Sequence, residues 1–331
     1  MSVTSKFAHL HKTFRKRFTL PRKGAVNWYP GHMMKGMLQI QAKLRSVDCI
    51  MEIHDARIPF SGRNLKLREI IQLRPHILIL NKSDLIDSSS RTRQNIVKKL
   101  QEEHEVDTVF YTNLKTDHKM TLLKKVILPK AIELIDSQPR YSREGVDSYN
   151  LLVLGVPNVG KSTFINNLRA ASLKKGGKAT TVGSKAGITK SVLSKIKVSE
   201  NPPVYIIDTP GIMPPKVANL ETGMRLAACA CLPDAQVGFI EIADYVLFWL
   251  NKHRQFAYVD YFNLEAPSDV INDVLFKVAL LNRRFLKIKD IATGKEVLRP
   301  NFNDAAWIFF NTFREGKLGK HVLDDDLLPK K

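Results

Sequence analysis

A glycine-rich turn between an apolar run and a helical stretch constrains the fold of this chain more than any other feature. The turn, Gly155–Ser162, reads GVPNVGKS and matches the pattern GxxxxGK[ST], with the apolar run NLLVLG leading into it and helix-forming residues after it. Its glycines allow backbone N–H groups to turn inward around phosphate oxygens at a helix N-terminus. Lys161 would reach the β and γ phosphates, and the Ser162 hydroxyl would bind Mg²⁺. The turn therefore predicts a nucleoside triphosphate site but does not choose the base.

Short apolar runs alternate with helix-like stretches along most of the chain. Apolar runs precede Asp55, Asn81, Thr112, Gly155 and Asp208, and helical spacing separates them. This alternation predicts an α/β fold with a doubly wound, mostly parallel sheet covered on both faces. Ligands bind at the carboxyl ends of such strands, so the loops that follow the runs are expected to form one site.

The loop Asn81–Asp84 reads NKSD and selects the base. A carboxylate at Asp84 accepts hydrogen bonds from N1–H and the 2-amino group of guanine, whereas adenine would leave that buried charge unpaired, at a cost on the order of 3–5 kcal/mol. Asn81 and Lys82 would support the loop. The alternative, a helix N-cap at Ser83 or Asp84, is favoured for an isolated NKSD but not directly after an apolar strand in a chain with a phosphate loop. Thr112 and Asn113, after the next run, are expected to direct backbone N–H groups at the guanine O6.

Two further loops supply metal and γ-phosphate ligands. Asp208 begins the sequence DTPG, in which Asp208 would lie near Mg²⁺ and the Gly211 N–H would contact the γ-phosphate. Thr189, after Gly187-Ile188, is expected to bring a hydroxyl to the metal when a switch segment closes, although Thr180 and Thr181 lie in the same segment. The loops thus occur in rotated order, with the base-reading loop before the phosphate loop, which predicts a circularly permuted GTPase.

The formal net charge of +20 is concentrated in two blocks. Residues 1–47 hold ten Lys or Arg and no acid, and residues 148–199 hold nine and no acid. In the first block Phe7, Leu10, Phe14 and Phe18 share one helical face, which is typical of a mitochondrial presequence, with a basic RNA-binding arm as the alternative. Three domains are predicted: a basic leader at 1–27, a GTPase domain at 28–224 and a mainly helical domain at 225–331.

The remaining composition excludes some classes of protein. No apolar run approaches the roughly 20 residues needed to span a bilayer, and the three cysteines offer no CxxC spacing. Buried thiols in a reducing compartment are expected.

The motifs in this order resemble the YlqF/RbgA family of circularly permuted GTPases, and most closely its mitochondrial ribosome-associated members. Further matches are WYPGHM at Trp28–Met33, DARIP at Asp55–Pro59 and NTFREGKLG at Asn311–Gly319. The resemblance implies GTP hydrolysis coupled to maturation of the large ribosomal subunit, with contacts to its rRNA. It implies that His32 positions water, since Ile212 stands where many GTPases have Gln, and that Asn158 binds K⁺. Catalytic residues expected on these grounds are His32, Lys161, Thr189 and Gly211; nucleotide ligands in the phosphate loop are Asn158, Val159, Gly160, Lys161, Ser162 and Thr163.

Charge and location leave alternatives open. The second basic block suits docking on rRNA phosphates, and Arg283–Lys289 adds an aromatic among cations that could stack on a base, against the alternative of a solvated face with a buried Phe285. The expected location is the mitochondrial matrix, with peripheral association with the inner membrane left open. The alternative function is a GTP-dependent RNA- or ribosome-binding module with little turnover.

Overall fold

The structure, a computed structural model, describes most of the chain. The described residues are 14–20, 40–63, 72–87, 89–116, 121–173, 195–209, 217, 219–289 and 295–328.

A six-stranded sheet forms the centre of the nucleotide-binding part. Its strands are β1 (Cys49–Asp55), β2 (His76–Asn81), β3 (Val109–Tyr111), β4 (Tyr149–Leu154), β5 (Lys195–Ser199) and β6 (Val204–Asp208). They lie in the order β3-β2-β1-β4-β6-β5, with β5 antiparallel to β6 and all other neighbours parallel. The predicted doubly wound, mostly parallel sheet is confirmed, with an antiparallel edge strand that the sequence pattern did not distinguish.

The strand order reflects the rotated order of the motifs along the chain. The chain enters the sheet at the central β1, runs outward to β3, and returns to β4, which pairs with β1 on its other side. Every residue of β1 is buried, as expected for a strand with a helical layer on both faces.

Helices among the described residues follow the predicted spacing. They are α1 (Ser90–His104), α2 (Leu128–Asp136), α3 (Lys161–Leu173), α4 (Leu220–Ala228), α5 (Asp234–Val237), α6 (Phe239–Lys252), α7 (Ala257–Tyr261), α8 (Ile271–Leu281) and α9 (Phe302–Arg314). The region after residue 219 is mainly helical, with α9 packed against α6 and α8. The division into domains at residues 27 and 224 stays a prediction. One apolar core includes residues of β1, β4 and α9.

Two local features differ from the sequence pattern. Phe285–Lys289 forms β7, which pairs with β8 (Glu296–Pro300) as an antiparallel hairpin. Phe14–Leu20 is not helical, although its apolar spacing predicted a helix.

Candidate functional site

The parallel pairing brings the carboxyl ends of five strands, each followed by a motif loop, to one edge of the sheet. Asp55 at the end of β1 is opposite Asn81 at the end of β2, and Leu80 is opposite Tyr111 at the end of β3. On the other side of β1, Val153 of β4 is opposite Asp208, which ends β6. This placement follows from parallel pairing alone and confirms the expectation that these loops meet.

The Asn81 side chain connects three loops that are far apart in sequence. Its Nδ2 donates to the Val159 carbonyl in the phosphate loop at 2.7 Å. Its Oδ1 accepts from the Thr112 hydroxyl at 3.2 Å and from the Leu114 N–H at 3.1 Å. Asn81 is 4% exposed, so these bonds satisfy its amide in place of water. The base-reading loop, the loop after β3 and the phosphate loop are therefore one structural unit.

Two glycines of the phosphate loop occupy places that no side chain could share. Gly155 has φ +146° and Gly160 has φ +109°. A Cβ on Gly155 would collide with the Ile53 carbonyl oxygen, and one on Gly160 would collide with the Asn81 amide. Because Gly160 has no side chain, the phosphate loop can lie directly against Asn81.

Lys161 begins α3 and points back into the phosphate loop. Its Nζ donates to the carbonyl oxygens of Gly155 at 3.1 Å and Val156 at 3.0 Å. Burial lowers the pKa of its ammonium to about 8, an effect that the nearby Asp208 carboxylate only partly offsets. A buried cation with two carbonyl acceptors and little opposing charge is suited to an anionic ligand.

Asp208 presents a buried carboxylate at the same place. Burial raises its pKa, and the charge of Lys161 and the Thr209 N–H oppose that rise. Asp208 Oδ1 is buried, and no hydrogen-bond partner for it lies among the described residues. Thr209 donates its hydroxyl to the Val153 carbonyl at 2.7 Å, which fixes the start of the loop. Mg²⁺ prefers oxygen ligands, carboxylate oxygens among them. The Oδ1 of Asp208, buried and without a partner in the described part of the chain, therefore fits a Mg²⁺ ligand.

The base-reading loop is anchored by an ion pair that the sequence reasoning had not assigned. Lys82, in the left-handed region at φ 59°, places its Nζ 2.9 Å from Asp55 Oδ2. Arg57 Nη2 lies 2.8 Å from the same oxygen, and its Nε is 2.9 Å from Asp55 Oδ1. Burial alone would raise the pKa of Asp55, but Arg57 and Lys82 outweigh it and hold that pKa well below its usual value. Asp84 remains exposed beside this anchored loop.

The loop after β3 is held from two directions. Thr112 is buried, and its carbonyl accepts from the Ser83 N–H at 3.0 Å. Asn167 of α3 donates its Nδ2 to the Leu114 carbonyl at 2.8 Å. Asn113 Oδ1 accepts from the Lys115 N–H at 3.2 Å, which closes a local turn.

The region after residue 219 also contacts the site. Asn158 donates its Nδ2 to the Ala230 carbonyl at 2.8 Å, and the His321 N–H donates to the Leu85 carbonyl at 3.0 Å. Asp324, fully buried, accepts from the N–H groups of Phe60 and Ser61, both at 2.8 Å, and from Arg225 at 3.1 Å. The region after residue 219 therefore contacts the phosphate loop, the base-reading loop and the loop after β1.

Three predicted site residues lie outside the described residues: His32, Thr189 and Gly211. Ser162 and Thr163 lie in the first turn of α3, both half-buried. Within the described ranges no group of His, Cys, Asp or Glu forms a metal cluster, and no helix is long and apolar enough to cross a membrane. All three cysteines are buried and free, and burial raises the pKa of the Cys231 thiol to about 12.

Asp55 was expected at this edge, because it ends an apolar run just as Asn81 and Asp208 do. Its pairing with Arg57 and Lys82 is not encoded in that pattern. Arg225 and Asp324 gave no such signal, because 99 residues separate the two partners and neither lies next to a motif.

Comparisons with known proteins agree with this geometry. A family model described as 50S ribosome-binding GTPase matches residues 150–275. The mitochondrial ribosome-associated GTPase 1 of Ictalurus punctatus is 45% identical over 326 residues, covering 98% of this chain and 100% of that protein. The protein of the same name from Mus musculus is 44% identical over 318 residues, covering 96% and 95%.

A solved structure shows a similar fold. The GDP-bound structure of TM YlqF aligns with a TM-score of 0.52 at 22% identity, covering 85% of this chain and 96% of that one. At this identity the likeness concerns the fold alone.

Proposed function

Because the chain belongs to the YlqF/RbgA family of circularly permuted GTPases, as its 45% and 44% identity to mitochondrial ribosome-associated members over nearly its whole length shows, we propose that its GTP hydrolysis drives or times assembly of the mitochondrial large ribosomal subunit. The enzyme class, a GTPase that converts GTP to GDP and phosphate, follows from the family itself. The ribosomal substrate and the residue roles below are proposals.

One observation carries the assignment of the nucleotide site. Asn81 contacts Val159 and Leu114, which makes the base-reading loop and the phosphate loop neighbours although the chain presents them in reverse order. Asp84 and Lys161 then lie on loops of one site, as binding both ends of a single guanine nucleotide requires. Two turns that belonged to separate sites would not be joined by the hydrogen bond from Asn81 to Val159.

The phosphate end of the nucleotide is assigned to the loop before α3. Lys161 would exchange its two carbonyl acceptors for β- and γ-phosphate oxygens, and the N–H groups of Asn158, Val159, Gly160, Ser162 and Thr163 would surround the phosphates. GTPases of this family generally use Mg²⁺, which neutralises charge that develops on the phosphates. Ser162, Asp208 and Thr189 would hold it. The Gly211 N–H would contact the γ-phosphate, and Asn158 would take K⁺ once it leaves Ala230.

The base end is assigned to two loops. Asp84 would accept from the guanine N1–H and 2-amino group, while Lys82, held by Asp55, would cover the base. Backbone N–H groups at Thr112 and Asn113 would donate to O6. The bond from Ser83 N–H to the Thr112 carbonyl supports this pairing of loops.

Water positioning is assigned to His32. The residue after DTPG is Ile212, which has no polar group to orient a nucleophile. Replacing His32 with Ala should therefore slow hydrolysis and leave GTP affinity almost unchanged.

Contact with rRNA is assigned to two basic surfaces. Lys195 and Lys197 are exposed on the edge strand β5, within the acid-free block 148–199. On β7, all five residues are exposed and Phe285 is 38% exposed between Arg284 and Lys287. An accessible ring among cations favours stacking on a base over the alternative of a buried Phe285.

The location follows from the relatives. Both relatives described above are named mitochondrial proteins, which supports a mitochondrial location for this chain. The matrix is the proposed compartment because the large ribosomal subunit is the proposed substrate; association with the inner membrane stays open.

GTP hydrolysis measured with and without mitochondrial large subunits distinguishes the proposed assembly GTPase from the alternative, a binding module with little turnover. We expect strong stimulation of GTP hydrolysis by the subunit. Hydrolysis that stays at the basal rate at every subunit concentration would favour a GTP-dependent binding module with little turnover. A pull-down of large subunits with a non-hydrolysable GTP analogue, compared with GDP, tests the partner directly, and equal recovery in both states would contradict it.

A further inference from the structure

The basic N-terminal region contains a segment that is packed on the helical part of the protein. Residues 14–20, here named the strap, are followed by a stretch outside the described residues, yet the strap itself makes defined contacts. The prediction for residues 1–27 was a leader, whose function in import would end with its removal. The contacts of Arg15 and the two phenylalanines point to a different fate for the strap.

Arg15 binds two aspartates at once. Its Nη1 and Nη2 donate to Asp244 at 3.0 and 2.7 Å, which is the bidentate geometry of a guanidinium on a carboxylate. Its Nε and its backbone N–H donate to Asp269 at 3.1 and 2.7 Å. The four bonds use both the side chain and the main chain, so they fix the position of the strap as well as its charge.

Aromatic contacts flank this ion pair on both sides. Phe14 lies 5.7 Å from Phe256, and Phe18 lies 5.1 Å from Tyr245 in an edge-to-face arrangement, measured between ring centroids. Phe18 also lies 5.7 Å from Phe248. Both strap phenylalanines are half-buried against the main apolar core. Aromatic pairs at these separations stabilise a contact beyond the area that they bury.

The receiving surface is built independently of the strap. We name it the strap groove and define it by Asp244, Tyr245, Phe248, Phe256 and Asp269. The loop that carries Asp269 is held by Asn251, which donates to the Ser268 carbonyl at 2.8 Å. Tyr258 in turn donates to Asn251 Oδ1 at 2.7 Å. Asn251 and Tyr258 are both buried, so the groove has its own support.

Removal of the strap would leave the carboxylates of the strap groove without their cation and its aromatic rings without their apolar cover. The side chains of Asp244 and Asp269 are only 14% and 19% exposed, and Arg15 is the cation that pairs with both. Without Arg15, both partly buried carboxylates would lose the cation that compensates their charge, which is unfavourable. The rings of Phe248 and Phe256 would also lose the apolar cover that Phe14 and Phe18 provide.

We propose that residues 14–20 are a permanent part of the folded protein, held in the strap groove by Arg15 between Asp244 and Asp269, and that any import processing falls before Phe14. Phe14, Arg15 and Phe18, which contribute to the basic amphipathic character of the leader, thus have a second role in the folded protein. The processing boundary depends on the mitochondrial location proposed above, whereas the docking of the strap does not.

Docking is tested on the full-length recombinant protein by limited proteolysis with chymotrypsin. Cleavage after Phe18 requires the strap to leave the groove. Because the bonds from Arg15 to two carboxylates hold the strap in place, Asp244→Asn and Arg15→Ala should each accelerate that cleavage about 10-fold or more. The matched controls are Glu265→Gln, an exposed carboxylate four residues before Asp269, and Lys16→Ala, an exposed cation next to Arg15. Both should leave the rate within about twofold of wild type. Equal rates in all five proteins would overturn the proposal.

Amide hydrogen exchange on the unmodified protein gives the same test without a variant. The Arg15 N–H, bonded to Asp269, should exchange at least 100-fold more slowly than in an unstructured chain, because the docked strap must open before this amide can exchange. Exchange at the unstructured rate would overturn the proposal even if a variant failed to fold.

Intact-mass measurement of the protein from mitochondria tests the processing boundary. A mature chain that begins at or before Phe14 supports the proposal, and one that begins beyond Phe14 overturns it. Loss of the mitochondrial location would leave the proteolysis and exchange results unaffected, so the two failures are distinguishable.

Discussion

Asn81→Ala is the perturbation that most directly tests the joining of the loops. The substitution removes the donor to the Val159 carbonyl and the acceptor for the Thr112 hydroxyl and the Leu114 N–H. Each buried group left without a partner costs about 1–3 kcal/mol. Relaxation of the loops and entry of water would recover part of that total, so we expect a net loss of about 2–4 kcal/mol in GTP binding, or about 30- to 1,000-fold in Kd.

Isothermal titration with GTP measures this loss, and thermal unfolding without nucleotide separates binding from stability. Asn81→Asp keeps an acceptor for the Thr112 hydroxyl and the Leu114 N–H but places a carboxylate oxygen against the Val159 carbonyl, and should weaken binding at least as much as Ala. Asn282→Ala is the control, because its Nδ2 donates to the Val278 carbonyl within its own helix turn. A Kd for Asn81→Ala within threefold of wild type would refute the reasoning that this amide holds the site together.

Three further predictions concern other parts of the site. Lys161 has a pKa of about 8 in the free protein, below its ordinary value. Above pH 8, GTP binding must therefore be accompanied by protonation of the Lys161 amine. The affinity for GTP should be constant below pH 8 and fall about tenfold per pH unit above it. Lys161→Arg should remove that slope, and a slope retained in titrations of this variant would contradict the assignment. His32→Ala should lower single-turnover hydrolysis by roughly 100-fold or more, with GTP affinity unchanged; lost nucleotide binding would mean that the role is wrong. Phe285→Ala should weaken binding to large subunits about 5- to 150-fold at fixed salt, whereas Leu298→Ala, on the paired strand, should not; equal effects in a sedimentation assay would contradict stacking.

The sheet and the position of the site could be predicted because their signals are local. A buried strand such as β1 or β2 needs a continuous apolar run, and the loop after it must lie at the carboxyl edge. Asn81 and Lys161 were placed by that rule, with no knowledge of their contacts. The rotated order of the motifs did not hinder this, since each strand–loop–helix unit is intact.

Contacts between distant segments could not be predicted in the same way. The bond from Asn81 to Val159 spans 78 residues, and that from Arg15 to Asp269 spans 254. No periodicity encodes such partners, because they depend on how whole elements pack. The helical spacing of Phe14 and Phe18 was overridden for this reason, since aromatic and ionic contacts with the strap groove stabilise an irregular segment more than an isolated helical turn would.

The β7–β8 hairpin was missed because its strands have no buried face. A strand is recognised from alternation between a buried and an exposed side, yet all five residues of β7 are exposed. Its residues were singled out only as a basic segment with one aromatic. The hairpin pairing explains how Arg283–Lys289 presents its side chains, which the sequence pattern alone left open.

The most direct test of the central claim measures the Kd of GTP, ATP and xanthosine triphosphate for the wild-type protein and for Asp84→Asn. If Asp84 and Lys161 bind opposite ends of one guanine nucleotide, the wild type should prefer GTP over ATP by roughly 10⁴-fold, and Asp84→Asn should shift that preference to xanthosine triphosphate, whose 2-oxo group accepts from the new amide. Equal affinity of the wild type for ATP and GTP, or an unchanged preference in Asp84→Asn, would contradict it.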